Sequence, residues 1–253
     1  MEPTPMPFVT DEGFGARARI GLILLETDQT LEVEARALAL DGVAFYHARI
    51  QNDSEVNADT LTAMGDRLPA AAALLPRAFG FDAIGYGCTS AATLIGEDAV
   101  TAAIQSAHPG VPCSNPVSAA VDAFRALGAR TISVLTPYSA AVTGPVVAHF
   151  EKNGLAVDSV GSFLESDDLT VARITEASIV EGVRSLGAES NADAVFVSCT
   201  SLRSFGVVSD LETELGKPVV SSNLALLWRL LRMAGVSEPI DGLGALMRRG
   251  FAG

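Results

Sequence analysis

The chain has 253 residues and a net charge of −13, with 17 Lys and Arg against 30 Asp and Glu. This charge argues against a nucleic-acid partner, which needs a basic stripe, and it disfavours anionic membrane surfaces. With 49% hydrophobic but only 6% aromatic residues, the core must consist mainly of Ala, Val, Leu and Ile, a composition typical of helices packed on parallel strands.

Residues 1–18 are rich in proline and glycine, and we predict a flexible tail there. They lack the basic region of a signal peptide, and no later apolar run approaches membrane-spanning length, so we expect a cytoplasmic protein. Strand-like runs then alternate with helix-like stretches, the pattern of parallel βαβ units in an α/β fold. The strand-like runs are 19–25, 43–50, 82–87, 130–136, 155–160, 193–198 and 218–221. The helix-like stretches are 30–40, 58–78, 93–107, 116–127, 140–153, 170–186, 205–215 and 222–234.

A ten-residue block occurs twice, at 81–90 and at 192–201, separated by 111 positions. Each copy has Asp-Ala, a short apolar run and then Cys-Thr-Ser. The same offset places the strand-like run that begins at Arg19 on the one that begins at Arg130. This repetition predicts a duplicated α/β unit, with lobes at 19–128 and 129–253 and a final helix that crosses back to the first lobe.

The two Cys-Thr-Ser turns each follow an apolar strand, where open α/β sheets bind their ligands. A pseudo-twofold arrangement would place Cys88 and Cys199 on opposite sides of one cleft. At the start of a helix each thiol would lie in a positive field, and we expect a lowered pKa. We interpret Cys113 as a core thiol, more buried than at least one of this pair. The three cysteines and three histidines show neither disulfide nor metal-ligand spacing, so we expect no metal.

In these features the chain resembles the aspartate/glutamate racemase superfamily. Within that superfamily it is most similar to the branch of maleate cis–trans isomerase and arylmalonate decarboxylase. The resemblance covers nearly the whole chain from about residue 19, and the ectoine-utilisation racemase-like proteins are the nearest group. It depends on the two Cys-Thr-Ser blocks and on three further runs: Arg-Ala-Leu-Gly-Ala-Arg at 125–130, Thr-Pro-Tyr at 136–138 and Val-Ala-Arg-Ile at 171–174.

The resemblance implies two Rossmann-like lobes, a substrate carboxylate bound between them and no cofactor. It implies that Cys88 and Cys199 are the catalytic thiols and that Tyr138 binds the substrate carboxylate, unless Tyr138 is only a hinge aromatic. The carboxylate and oxyanion pockets would be lined by Thr89, Ser90, Thr200 and Ser201. Decarboxylases of this branch carry glycine in place of the first cysteine, so the presence of both thiols disfavours decarboxylation.

Two positions depart from the maleate isomerase pattern, because Asp28 and Asp168 stand where those enzymes have asparagine. If both carboxylates face the cleft, they repel a dianion and suit a substrate with an ammonium group. Alternatively each is a helix N-cap that points into solvent.

We therefore expect a cofactor-independent isomerase or racemase that acts next to a carboxylate of a small, amino-acid-like substrate, for example one derived from ectoine. The cysteine pair alone does not separate proton-transfer racemisation from covalent cis–trans isomerisation of maleate. An arylmalonate-type decarboxylase and a non-catalytic small-molecule binder remain as alternatives. The resemblance also implies a homodimer or higher homo-oligomer.

Overall fold

The computed structural model describes residues 1–188 and 190–251, and its core is formed by two four-stranded parallel sheets. The strands are β1 (Ala18–Leu25), β2 (Val43–Ile50), β3 (Ala83–Gly87), β4 (Cys113–Ser114), β5 (Thr131–Thr136), β6 (Ala156–Ser162), β7 (Ala194–Val197) and β8 (Val219–Ser221). The α-helices are α1 (Leu31–Ala37), α2 (Ala58–Ala73), α3 (Thr89–Ile95), α4 (Glu97–Ala107), α5 (Pro116–Leu127), α6 (Ala140–Lys152), α7 (Asp168–Val171), α8 (Glu176–Ala188), α9 (Val208–Leu215) and α10 (Ser222–Met233). The predicted α/β class is confirmed.

The two sheets have the same strand order, β2-β1-β3-β4 in the first half and β6-β5-β7-β8 in the second. Every strand pair in both sheets is parallel. Because successive parallel strands need a crossover connection, helices cover both faces of each sheet. The repeated order agrees with the duplication predicted from the 111-residue offset.

The repeated Asp of the two blocks has the same structural role in both halves. The Asp82 carboxylate accepts the backbone N–H of Arg19 at 2.8 Å, and the Asp193 carboxylate accepts that of Arg130 at 2.8 Å. Each bond joins the start of the central strand to the turn before its neighbour. The repetition of Asp-Ala therefore reflects strand pairing rather than chemistry at the cleft.

Several predicted elements differ from the observed ones. The stretch 93–107 is two helices, because Gly96 between α3 and α4 adopts φ of +88°, which interrupts a helix and is tolerated by glycine. The stretch 170–186 is also divided, into α7 and α8. The two-residue strand β4 was missed, since it is too short to produce an alternating pattern.

Helices α5 and α10 are exchanged between the sheets. Phe124 of α5 packs edge-on against Phe196 of β7 and Phe150 of α6. In the other direction, α10 contacts β3, where Gly85 leaves room for Leu226 and Leu230. The predicted return of the final helix to the first lobe is therefore present, and α5 reciprocates it.

The helices are too short or too polar to cross a membrane throughout the described part of the chain. Residues 1–12 form no helix or strand and are exposed. The predicted lobe limits at 128 and 129 fall between α5 and β5, where Gly128 ends α5 with φ of +75°.

Candidate active site

A small cavity lies between the carboxyl ends of the two sheets. Both halves contribute to its wall, which consists of Leu25, Asn52, Asp53, Glu55, Val56, Thr60, Leu61, Met64, Cys88, Thr89, Ser90, Tyr138, Asp168, Cys199, Thr200 and Ser201. All the residues that sequence analysis assigned to the site are in this wall except Asp28.

Cys88 is positioned by the end of β3 and the start of α3, of which it is the N-cap residue. Its side chain is buried, and its sulfur lies 3.8 Å from the Ser90 hydroxyl. The strand before it is buried on both faces, so the backbone that carries the thiol has little freedom.

Cys199 lies in a different local structure, because no helix starts there and α9 begins only at Val208. Its φ is +110°, a backbone conformation that residues other than glycine seldom adopt. Such strain costs on the order of 1–3 kcal/mol and persists only where surrounding bonds impose it. The Cys199 N–H donates to the Ser222 hydroxyl at 3.0 Å, and its sulfur accepts the Ser201 N–H at 3.4 Å.

Ser222 joins the two turns, and sequence analysis missed it. Its hydroxyl oxygen accepts the Thr89 hydroxyl at 2.8 Å as well as the Cys199 N–H. In the opposite direction, the Thr200 hydroxyl donates to the Gly87 carbonyl at 3.1 Å. These bonds hold the two Cys-Thr-Ser turns together across the interface between the halves. The position of Ser222 directly after a short apolar strand was the available signal.

Tyr138 follows β5 and is almost fully buried. Its side chain lines the cavity together with both Cys-Thr-Ser turns. Burial raises its pKa well above the usual value, which keeps the phenol neutral. A neutral hydroxyl at this place is suited to donate a hydrogen bond to a carboxylate oxygen.

Asp168 lies at the first position of α7, whereas the N-cap of that helix is Asp167. The Asp168 side chain is buried and accepts the Ser201 hydroxyl at 3.0 Å and the Thr27 hydroxyl on its other oxygen. Its backbone N–H donates to the Ser54 carbonyl. The alternative interpretation of Asp168 as a solvent-facing cap therefore does not apply.

Asp28 is placed differently from the prediction. Its carboxylate accepts the backbone N–H groups of Thr30, Leu31 and Glu32 at 3.4, 3.0 and 3.1 Å. It therefore caps α1, and it does not contribute to the cavity wall. The prediction of Asp28 as a cleft-facing residue is wrong, because three backbone donors occupy its oxygens. The alternative of a cap that points into solvent is also wrong, because the Asp28 side chain is buried.

The loop 51–57 lines the cavity beside the thiols and was not predicted. Asn52, Asp53 and Glu55 are part of the wall. This loop bonds to the corresponding loop of the second half, since Val56 N–H donates to the Ser166 carbonyl at 2.9 Å. Its position after a parallel strand was a general signal for ligand contact, but its sequence resembles an ordinary polar loop.

Both cavity thiols are weaker acids than a free cysteine. Burial raises the pKa of Cys88 from 9.0 to about 11. Burial, followed by the negative charge of Asp168, raises that of Cys199 to about 12. The expectation of lowered pKa values is therefore wrong, because desolvation outweighs the N–H groups near Cys88 and because Cys199 does not start a helix.

Cys113 in β4 is also buried, and its sulfur lies 3.2 Å from the Val111 carbonyl. It is 9% exposed, against 4% for Cys88 and 6% for Cys199, so the expectation that it is more buried than one of the pair is wrong. It lies outside the cavity wall.

The fold and the cavity define a duplicated α/β protein with a small-molecule site between matching halves, where each half contributes a buried thiol. The chain belongs to the arylmalonate decarboxylase family, whose family model matches residues 20–247.

Characterised relatives include two kinds of enzyme. The maleate isomerase of Nocardia farcinica is 27% identical over 245 residues, covering 92% of this chain and 97% of the relative. The arylmalonate decarboxylase of Bordetella bronchiseptica is 31% identical over 138 residues, covering 54% of this chain and 57% of the relative.

Among solved structures, a maleate cis–trans isomerase of Nocardia farcinica superposes with a TM-score of 0.84. It is a variant with one cysteine mutated to serine, and it carries a covalently bound succinylcysteine intermediate. That structure is 26% identical, and the match covers 91% of this chain and 98% of that chain.

Proposed function

We propose that this protein is a cofactor-independent isomerase that acts at a carbon next to a carboxylate, with Cys88 and Cys199 as its two working thiols. The observation that carries the proposal is the pair of buried thiols in one cavity, supplied by matching turns of the two halves and joined through Ser222. A single packing cysteine would not require a matching partner in the other half.

In the racemase version, one thiolate removes the α-proton and the electron pair passes into the substrate carboxylate as an enolate. The opposite thiol then donates its proton to the other face, which leaves the first thiol protonated and the second ionised. Hydroxyl and backbone donors of the Cys-Thr-Ser turns, together with Tyr138, would stabilise the enolate oxygens.

The charge of the cavity favours an amino-acid-like substrate. Its wall includes the carboxylates of Asp53, Glu55 and Asp168, and no Lys, Arg or His of the described residues lines it. Arg67 lies 3.6 Å from Asp53 and offsets part of this charge, whereas the Asp168 carboxylate accepts the hydroxyls of Thr27 and Ser201 and forms no ion pair with the described residues. An ammonium group beside Asp168 would be attracted, and it would also favour ionisation of the nearby thiols.

Maleate cis–trans isomerisation is the second candidate, favoured by the maleate isomerase relatives over most of the chain. The succinylcysteine in the Nocardia structure supports a covalent route for that protein. Here one thiolate would add to one carbon of the double bond, and the electron pair would pass into the adjacent carboxylate. The former C=C bond, now single, would rotate. Expulsion of the thiolate would then restore the double bond in the trans form.

Proton NMR in D₂O tests the proposal with single amino acids, diamino acids and maleate as substrates. Racemisation replaces the α-proton of either enantiomer by deuterium, whereas cis–trans isomerisation produces fumarate. We expect Cys88→Ser and Cys199→Ser each to lower turnover by about a thousandfold or more, because the two thiols act in one reaction.

Cys113→Ser is the matched control and should keep wild-type turnover, since Cys113 lies outside the cavity wall. Full activity in either cavity variant contradicts the two-thiol mechanism. Substrate binding without turnover by the wild-type protein would favour a non-catalytic binder.

A further inference from the structure

Glu34 is a buried carboxylate outside the cavity wall that holds the segment 199–205 from the other half of the molecule. It projects from α1, and its Oε1 accepts the backbone N–H of Ser204 at 2.8 Å and of Phe205 at 3.0 Å. Its Oε2 accepts the Asn223 side-chain amide at 2.6 Å. All three partners are donors, so the ionised carboxylate satisfies them together.

Asn223 extends this contact to the residue next to the second thiol. Its Nδ2 donates both to Glu34 and to the Thr200 carbonyl, the latter at 3.0 Å. Its Oδ1 is buried and has no hydrogen-bond partner among the described residues. An orphaned buried acceptor is costly, and here it lies on the side chain that links Glu34 to the backbone beside Cys199.

We propose that Glu34 and Asn223 are positioning residues that hold Cys199 in its strained backbone conformation, and that the proton on Glu34 selects between two arrangements of this pair. The inference rests on the proposed role of Cys199 as a working thiol.

The two arrangements follow from the donors and acceptors present. With Glu34 ionised, the Asn223 Nδ2 bridges Glu34 and the Thr200 carbonyl, and Oδ1 is orphaned. If Glu34 is protonated, its O–H points at the Asn223 Nδ2, and two hydrogen-bond donors then face each other. Rotation of the amide lets Oδ1 accept the O–H, but the Thr200 carbonyl then loses its donor. The gain at one atom and the loss at the other make the pair a two-state element.

The proton leaves Glu34 in the neutral pH range, because burial raises the pKa of Glu34 to about 7, despite its three donors. The carboxyl is therefore protonated in the fold below about pH 7 and ionised above it. Asp28 adds a small repulsive contribution. The other charged groups on the packed elements have partners of their own: Glu32 with Arg36 and Arg49, Arg203 with the Ile174 carbonyl, Arg229 with Glu97 and Asp122, and Arg232 with backbone carbonyls. The pKa of His47 on β2 is lowered by burial, which leaves it neutral near pH 7.

The ratio of Cys199 to Cys113 alkylation by iodoacetamide tests the proposal directly. Both thiols have pKa values of about 11 or above, so between about pH 5 and 9 their thiolate fractions rise equally and cancel in the ratio. Any remaining change in the ratio reports a change in the accessibility of Cys199, and so in the segment around it. Peptide mass spectrometry of the wild-type chain gives the ratio at each pH.

We expect the wild-type ratio to fall about fivefold as pH rises through about 7, because ionised Glu34 lets Asn223 bond the Thr200 carbonyl and so makes Cys199 less accessible. A factor of about five corresponds to the net contribution of one hydrogen bond. Glu34→Gln is neutral at every pH and should hold the ratio at the low-pH value. Glu32→Gln, the same change two positions away on α1, should keep the wild-type step.

A wild-type ratio that is constant with pH overturns the proposal without any variant, and so does a step that survives in Glu34→Gln. If Glu34→Gln does not fold, Asn223→Leu removes the amide and should abolish the step. Because the experiment measures a thiol rather than turnover, its result is independent of whether the isomerase proposal holds.

Discussion

Burial determines the acidity of the two cavity thiols. The pKa values of about 11 for Cys88 and about 12 for Cys199 leave both thiols protonated near pH 7 in the absence of a substrate. A substrate with a positive group would lower these values when it binds beside Asp168. Under the proposed function, a thiol would then ionise only in the occupied site, which would limit side reactions in the empty one.

Alkylation kinetics test this description of the thiols. Below pH 9, Cys88 should react with iodoacetamide about a hundredfold more slowly in the native protein than in the urea-unfolded chain, because two pKa units separate the thiolate fractions. The unfolded rate should level off above about pH 10, about one unit beyond the ordinary thiol pKa of 9.0, whereas the native rate should still increase there. Equal native and unfolded rates at neutral pH contradict the raised pKa.

Asp28 and Asp168 occupy different environments, one at the start of α1 and the other in the cavity wall, which gives a matched pair of variants. Asp168→Asn removes a buried charge from the cavity wall. It should shift the binding preference from an amino acid towards maleate by about 1–3 kcal/mol. Asp28→Asn keeps one side-chain oxygen that can accept the backbone N–H groups at the start of α1, and it lies outside the wall, so we expect the preference to remain that of the wild type.

Isothermal titration calorimetry with maleate and an amino acid measures both variants. An unchanged ratio of the two affinities in Asp168→Asn would show that the carboxylate does not sense substrate charge. A shift of equal size in Asp28→Asn would show that the effect is not local to the cavity.

Residue types and repetition predicted much of the site. The two Cys-Thr-Ser blocks placed six residues in the wall, because the carboxyl ends of buried parallel strands meet at one edge of a sheet. Tyr138 and Asp168 came from the family resemblance. Asp28 was misplaced, since an Asp before a helix has the same sequence pattern whether it caps the helix or faces a ligand. The φ of Cys199 and the bridging by Ser222 depend on contacts between distant residues, and no local pattern encodes them.

At the level of elements, the strands were predicted closely because their apolar runs are continuous, as expected for strands covered on both faces. The helices were less well delimited. Gly96 divides one predicted helix through its positive φ, and glycine within a helical pattern is a weaker signal than proline. The exchange of α5 and α10 could be only partly anticipated, because either helix has an apolar face that would fit either sheet.

The exchange of helices makes each half incomplete on its own. The first sheet is covered by α10 from the end of the chain, and the second by α5 from the first half. Separate unfolding of the halves would expose both faces at once. We therefore expect the molecule to unfold in one cooperative transition, as small two-state domains do, although sequence repetition suggests two lobes.

Gly85→Ala tests this cooperativity from one end of the molecule. A Cβ there would lie 2.6 Å from a terminal methyl of Leu230 and 3.2 Å from one of Leu226, so these side chains, or α10 that carries them, must shift. Overpacking of this kind costs about 1–3 kcal/mol. Urea unfolding can be followed by the fluorescence of Trp228, the single tryptophan, which is buried on α10, and by far-UV circular dichroism, which reports both halves. Both midpoints should fall by the same amount. Loss of α10 uncovers the first sheet, and because α5 of that half covers the second sheet, both halves should unfold together. A fluorescence transition that moves alone, with the dichroism midpoint unchanged, would mean that α10 detaches independently and that the two halves fold as separate units.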